Sequence, residues 1–150
     1  MDTKVYKITG DLLAASPDLW EFVKHGLLEV KRKVGDRAKW EPLHVRKSIE
    51  TNGSELWVVY DSSSQPQGYY ILTITNDPFV NIPLALWIWI AYNGSTDRQL
   101  IEKHLPDVIA RAKSIGIEAI EFMSPRISWG KRLEKHGFGL AEIIWRMKVN

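Results

Sequence analysis

The chain has 150 residues and no cysteine, which excludes a disulfide framework, cysteine-held zinc and a thiol nucleophile. A hydrophobic content of 45% with 25% charged residues supports a folded core and excludes a disordered tail. Lys+Arg 20 against Asp+Glu 18 gives a net charge of +2, too mild to favour nucleic acid as a partner.

One domain spanning residues 1–150 is the expectation at this length. The opening Met1-Asp2-Thr3-Lys4 lacks the pattern of a signal peptide. The longest apolar run, Leu84 to Tyr92, is less than half of the about 20 residues that a membrane helix needs. A cytoplasmic location without a membrane partner is therefore expected.

Val5 to Ile8 reads as a short strand closed by Gly10. Ser16-Pro17-Asp18 starts a helix, because Ser can cap and Pro suits the first helical position. Leu19, Phe22, Val23, Leu27 and Val30 follow at helical spacing, with Gly26 as a weak point worth roughly 0.5–1 kcal/mol relative to Ala. Glu41-Pro42 opens a second helix through Ile49, which Gly53 ends.

The period then becomes extended. Leu56 to Tyr60 and Gly68 to Thr75 are strands joined by a Ser-rich loop. Leu84 to Tyr92 is apolar on both faces, which predicts a central strand covered on both sides. Trp87 and Trp89 are assigned to one face, and Leu86, Ile88 and Ile90 to the other. Thr96 and Gln99 have capping-box spacing, predicting a helix that carries Ile101, Leu105, Val108, Ala112 and Ile115, kinked or split at Pro106. Ile117 to Phe122 is a further strand. Ser124-Pro125 leads to a short helix around Ser128 to His136, and Glu142 to Val149 alternates as a last strand. The order β α α β β β α β α β predicts an α+β fold, a mixed sheet flanked by helices on both faces.

This order resembles the GCN5-related N-acetyltransferase (GNAT) family over nearly the whole chain. Arg132-Leu133-Glu134-Lys135-His136-Gly137-Phe138 is similar to the family's helix-to-strand ending, and Gly116-Ile117-Glu118-Ala119-Ile120 to the entry of its fifth strand. The resemblance implies transfer of an acetyl group from acetyl-coenzyme A to an amine, on a small molecule or a peptide. No metal is implied, and a homodimer is compatible. In the family the coenzyme's pyrophosphate sits on a glycine-rich loop at a helix start, where free N–H groups and the dipole favour an anion. Here that loop falls on Thr96-Asp97-Arg98-Gln99-Leu100-Ile101, without either glycine.

The coenzyme-binding residues expected by this matching are Tyr92, Ser95, Thr96, Asp97 and Arg98, with Arg98 offsetting Asp97. The family's proton-donating tyrosine falls on Leu133, and Arg126 stands in the region of its usual asparagine. Tyr92 and His44 are left as catalytic candidates, although a half-exposed helix residue is the plainer reading of His44. His25, His104 and His136 show no metal-ligand spacing and are read as surface residues. Trp87 and Trp89 are most simply core; a functional role would have them line a pocket for an apolar or aromatic acceptor. Two rivals remain: a fold relative that binds without acetyl-coenzyme A turnover, and an enzyme using a different acyl donor.

Overall fold

A computed structural model describes residues 2–123, 127–142 and 145–149, with backbone only at 127 and 128. The described elements are β1 (Thr3–Ile8), α1 (Gly10–Ala14), α2 (Pro17–Val34), a 3-10 turn (Gly35–Arg37), α3 (Pro42–Glu50), β2 (Glu55–Asp61), β3 (Pro66–Asn76), β4 (Pro83–Asn93), α4 (Leu100–Lys103), α5 (Leu105–Ser114), β5 (Ile120–Phe122) and α6 (Ile127–Glu134). The strands form one sheet in the order β1-β2-β3-β4-β5. The first three pairings are antiparallel, and β4 with β5 is parallel. The mixed α+β architecture expected from the sequence is the one observed.

Two cores cover the two faces of this sheet. On one, α1, α2 and α3 bury Leu13, Val23, Leu27 and Val45 against Leu56, Tyr69 and Ile71. On the other, Leu105, Val108, Ala112 and Leu133 pack against Tyr70, Leu72, Leu86 and Ile88. The middle position belongs to β3, whose run from Gly68 to Leu72 is buried, and not to β4. β4 is flanked by β3 and β5, but Leu84 at its start is exposed and Trp87 and Trp89 are only partly covered.

The face assignment within β4 also changes. Ile71 pairs with Ile90 and Leu72 with Ile88, which leaves Trp89 as an extra residue in the ladder. Such a bulge resets the alternation. Ile90 consequently joins Trp89 on the α2 side, while Ile88 and Leu86 stay on the α5 side.

Several boundaries differ from the sequence expectation for local reasons. Gly10 does not merely end β1; Thr9 caps α1 by accepting from the Leu12 amide at 3.2 Å. The fifth strand covers only Ile120–Phe122 of the expected Ile117 to Phe122. Among the described residues of the expected last strand, Glu142 and residues 145–149 are not strand, and Trp145, Met147 and Val149 are exposed. Ile143 and Ile144, like Ser124, Pro125 and Arg126, lie outside the described residues. Alternation alone does not supply a partner edge. The expected interruption near Pro106 is present, with α4 and α5 separated at His104.

His104 is buried, contrary to its reading as a surface residue. Its Nε2 lies 2.7 Å from Thr3 Oγ1 and its Nδ1 2.9 Å from an Asp107 carboxylate oxygen, so it ties β1 to the start of α5. A buried ring with both nitrogens engaged is stable where a bare one would not be.

Glu55 on β2 makes the second long-range polar tie. It accepts from Arg111 on α5, from Trp57 Nε1 at 3.1 Å, and faces Lys7 at 3.3 Å. Burial by itself would raise its carboxyl pKa, but hydrogen bonds from Arg111 and Trp57, helped by the Arg111 and Lys7 charges, hold it below 4.5. A carboxyl depressed in the folded state stabilises above its unfolded pKa and loses that contribution as pH falls through the folded value. Thermal stability is therefore expected to drop between about pH 5 and pH 3, and Arg111→Ala to flatten part of that drop. An unchanged acid slope in Arg111→Ala would remove this pair as its source.

Candidate functional site

The pairing of β4 with β5 stops at Ile88 and Phe122. β4 continues through Trp89 to Asn93, with no described strand on that edge. The two strands thus part, and a cleft of about 370 Å³ opens between them. Along it lie Tyr92, Arg98, Glu102, Trp129, Arg132 and Leu133. An unpaired strand edge presents main-chain N–H groups at every second residue, which suits an oxyanion or a carbonyl oxygen. A wider depression of about 660 Å³ between α5 and the Gly137–Gly139 turn shares no residue with this cleft.

Tyr92 reaches the cleft from the end of β4, with its ring against Phe22, Tyr69 and His25. Burial, and then the nearby Glu29 carboxylate, raise its hydroxyl above the usual tyrosine pKa. It stays protonated at neutral pH and is available as a proton donor. Gly26 on α2 explains how Tyr92 fits: a Cβ there would stand 2.5 Å from both Tyr69 Oη and a Tyr92 ring carbon. The glycine is a site of close approach between helix and sheet, a role that its sequence context did not reveal. Tyr69 in turn donates to the Val23 carbonyl at 2.8 Å.

Leu133, at the position matched to the family's tyrosine, is buried on α6 and lines the same cleft as Tyr92. Beside it, Arg132 donates to the Arg98 carbonyl at 2.8 Å and to the buried Glu102 carboxylate at 2.6 Å. This pair joins α6 to α4 across the cleft floor. Arg98 is exposed and lines the cleft, as does Lys33 of α2.

The expected helix start at Thr96 is not formed. The helix begins at Leu100, and the Thr96–Gln99 capping box is absent. The intervening turn satisfies its own amides instead. Ser95 N donates to Asn93 Oδ1 at 2.9 Å, Asp97 N to Ser95 Oγ at 3.2 Å and Gln99 N to Asp97 Oδ1 at 3.0 Å. The Asp97 carboxylate also pairs with Lys103. Hydrogen bonds from Lys103 and from the Gln99 amide hold its pKa below the usual carboxylate value. Short polar side chains compete for the local amides here. Of the five residues expected to bind the coenzyme, Tyr92 and Arg98 line the cleft, while Ser95, Thr96 and Asp97 do not.

His44 is exposed on α3, and its Nδ1 accepts from the Glu41 amide at 2.9 Å. It completes a helix cap, and it is not among the cleft residues. Among the described residues no group of acidic and histidine side chains is arranged to hold a metal ion.

No protein-family model matches the sequence, and no curated protein matches it. Solved structures do match the fold. A ribosomal-protein-alanine N-acetyltransferase from Brucella melitensis biovar Abortus 2308 superposes with a TM-score of 0.65 at 13% identity, covering 99% of each chain. A predicted acetyltransferase with acetyl-CoA from Clostridium acetobutylicum gives 0.69 at 12% identity, over 98% of this chain and 96% of that one. An aminoglycoside acetyltransferase from an uncultured soil metagenomic sample gives 0.68 at 10% identity, over 99% and 97%. At such identities the likeness is one of fold. The chain has the GNAT-like fold that its sequence resembles.

Proposed function

We propose that this chain is an acyltransferase that moves an acetyl group from acetyl-coenzyme A to an amine, with the thioester seated where β4 and β5 part. The observation that carries this reading is the open edge of β4 past Ile88, beside a cleft holding a protonated Tyr92. Ile88, Ile90, Ile101 and Leu133 in the cleft lining supply apolar surface for the pantetheine arm. In the turn from Ser95 to Gln99 the amides of Ser95, Asp97 and Gln99 are already bonded by its own side chains, which leaves fewer donors for a pyrophosphate held by amides. In this reading the phosphates are met by Arg98 and Lys33 side chains.

The acceptor nitrogen attacks the thioester carbonyl carbon while N–H groups on the free β4 edge stabilise the oxyanion. The new C–N bond forms, the C–S bond breaks, and the proton lost by nitrogen is balanced by one delivered to the departing thiolate. Tyr92 is the donor this reading assigns. A second reading, binding without turnover, is favoured by Asp97, a carboxylate standing where the family places phosphates.

Thermal-shift titration with coenzyme A and acetyl-coenzyme A separates the two. At a hundredfold excess over Kd, stabilisation reaches about 2.7 kcal/mol, a shift of roughly 5–10 °C for a chain of this size. Arg98→Glu is expected to weaken binding about tenfold or more, as loss of a charge-assisted contact does. Asp97→Asn keeps the cap on Gln99 but frees Lys103, and is expected to strengthen binding about two- to fivefold. A flat response to millimolar ligand would leave the binding-module reading in place.

A further inference from the structure

Trp40, Trp89 and Trp87 form a continuous row on the α2 side of the sheet. Trp40, in the connection to α3, meets Trp89 edge-on at 6.4 Å and 78°, and Trp89 stacks on Trp87 at 6.3 Å and 26°. All three indoles are partly exposed, whereas Trp20 on the same face is buried. Apolar surface of this size left half open and stacked is a platform for another flat group. Trp87 and Trp89, two residues apart, share this face by strand alternation, and Trp89 also lines the cleft. The row therefore leads to the proposed reaction centre.

Exposed Lys39 precedes Trp40 at one end of the row, and a carboxylate stands at the other, Trp87 end. Glu121 on β5 lies beside Trp87 in the parallel register, so the two side chains share a face. Glu121 is exposed and makes no ion pair among the described residues. Glu41, next to Trp40, is by contrast already paired with Lys31. A carboxylate at the end of an indole row complements an ammonium group attached to a flat apolar body, through charge and through the ring faces.

We propose that Trp40, Trp89, Trp87 and Glu121 form the acceptor subsite, and that it takes a primary amine carried on a flat aromatic or apolar body. The inference rests on the acyltransferase reading for its role and on the indole row for its chemistry. Binding is measured without coenzyme, by tryptophan fluorescence and calorimetry, using 2-phenylethylamine, n-butylamine and 3-phenylpropionate as probes. The expected result is saturable binding of 2-phenylethylamine, about tenfold tighter than n-butylamine, with no binding of the anionic probe. Glu121→Gln, at an exposed position, should weaken 2-phenylethylamine about fivefold and leave the melting temperature unchanged. Trp87→Phe, which keeps a ring, should weaken it less than Trp87→Leu.

Equal binding of n-butylamine, or an unchanged affinity in Glu121→Gln, overturns the proposal. So does a tryptophan signal that follows protein concentration instead of amine, which would assign the row to a second copy. Coenzyme A is titrated into the same samples. Failure of that titration alone brings down the coenzyme reading and leaves the amine site standing, while failure of the amine alone does the reverse.

Discussion

Gly26→Ala is expected to destabilise the protein by about 2 kcal/mol, although alanine is the better helix former by about 0.8–1.0 kcal/mol. The added Cβ would stand 2.5 Å from Tyr69 Oη and from the Tyr92 ring, far inside contact distance. Neither tyrosine can retreat freely. Tyr69 is fully buried and bonded to the Val23 carbonyl, and Tyr92 is wedged against Phe22 and His25. Overpacking of this kind costs typically 1–3 kcal/mol, and loss of the Tyr69 bond adds about 1 kcal/mol, which together exceed the helical gain. A melting temperature lower by roughly 4–8 °C is the expected reading. Because Tyr92 is one of the groups displaced, affinity for coenzyme A should fall in the same variant. A melting temperature equal to or above that of the parent would show that helix and sheet separate easily here.

Leu133→Tyr is expected to raise acetyl transfer by about a hundredfold, the lower end of what a positioned general acid contributes. Leu133 is buried, but it lines the cleft, so the larger ring has about 370 Å³ of free volume beside it. The stability cost should stay within about 1–3 kcal/mol. Single-turnover rates with acetyl-coenzyme A and 2-phenylethylamine test this, alongside Tyr92→Phe in the parent chain. Tyr92→Phe should lower the parent rate about tenfold or more, and much less in the Leu133→Tyr background, where a second hydroxyl serves the thiolate. Burial raises the Tyr92 hydroxyl pKa, so its loss as a donor is expected at higher pH than for an ordinary tyrosine. If Leu133→Tyr folds and leaves the rate unchanged, proton delivery does not limit this reaction.

The sequence by itself determined the element types wherever their signals are local. Helical spacing from Leu19 to Val30, the proline starts at Pro17 and Pro42, and the extended runs from Leu56 and Gly68 all appear where expected. Periodicity and caps need only neighbours in the chain, which is why the α+β class could be read without coordinates. The same holds for the split near Pro106.

What only the tertiary structure decided are features with two partners far apart in the chain. The bulge at Trp89 depends on the register between β3 and β4, and it is what places Ile90 on a different face from Ile88. Burial of His104 depends on Thr3, a residue whose distance in sequence hides it from any spacing rule. The parting of β4 from β5, and the cleft it makes, follow from a strand that pairs over Ile120–Phe122 alone. The turn after Asn93 departs from its sequence pattern for the opposite reason. Its capping pattern was local and plausible, but Asn93, Ser95 and Asp97 compete for the same amides in a non-helical arrangement. Short polar side chains can satisfy a backbone in either geometry, so a local pattern does not choose between them.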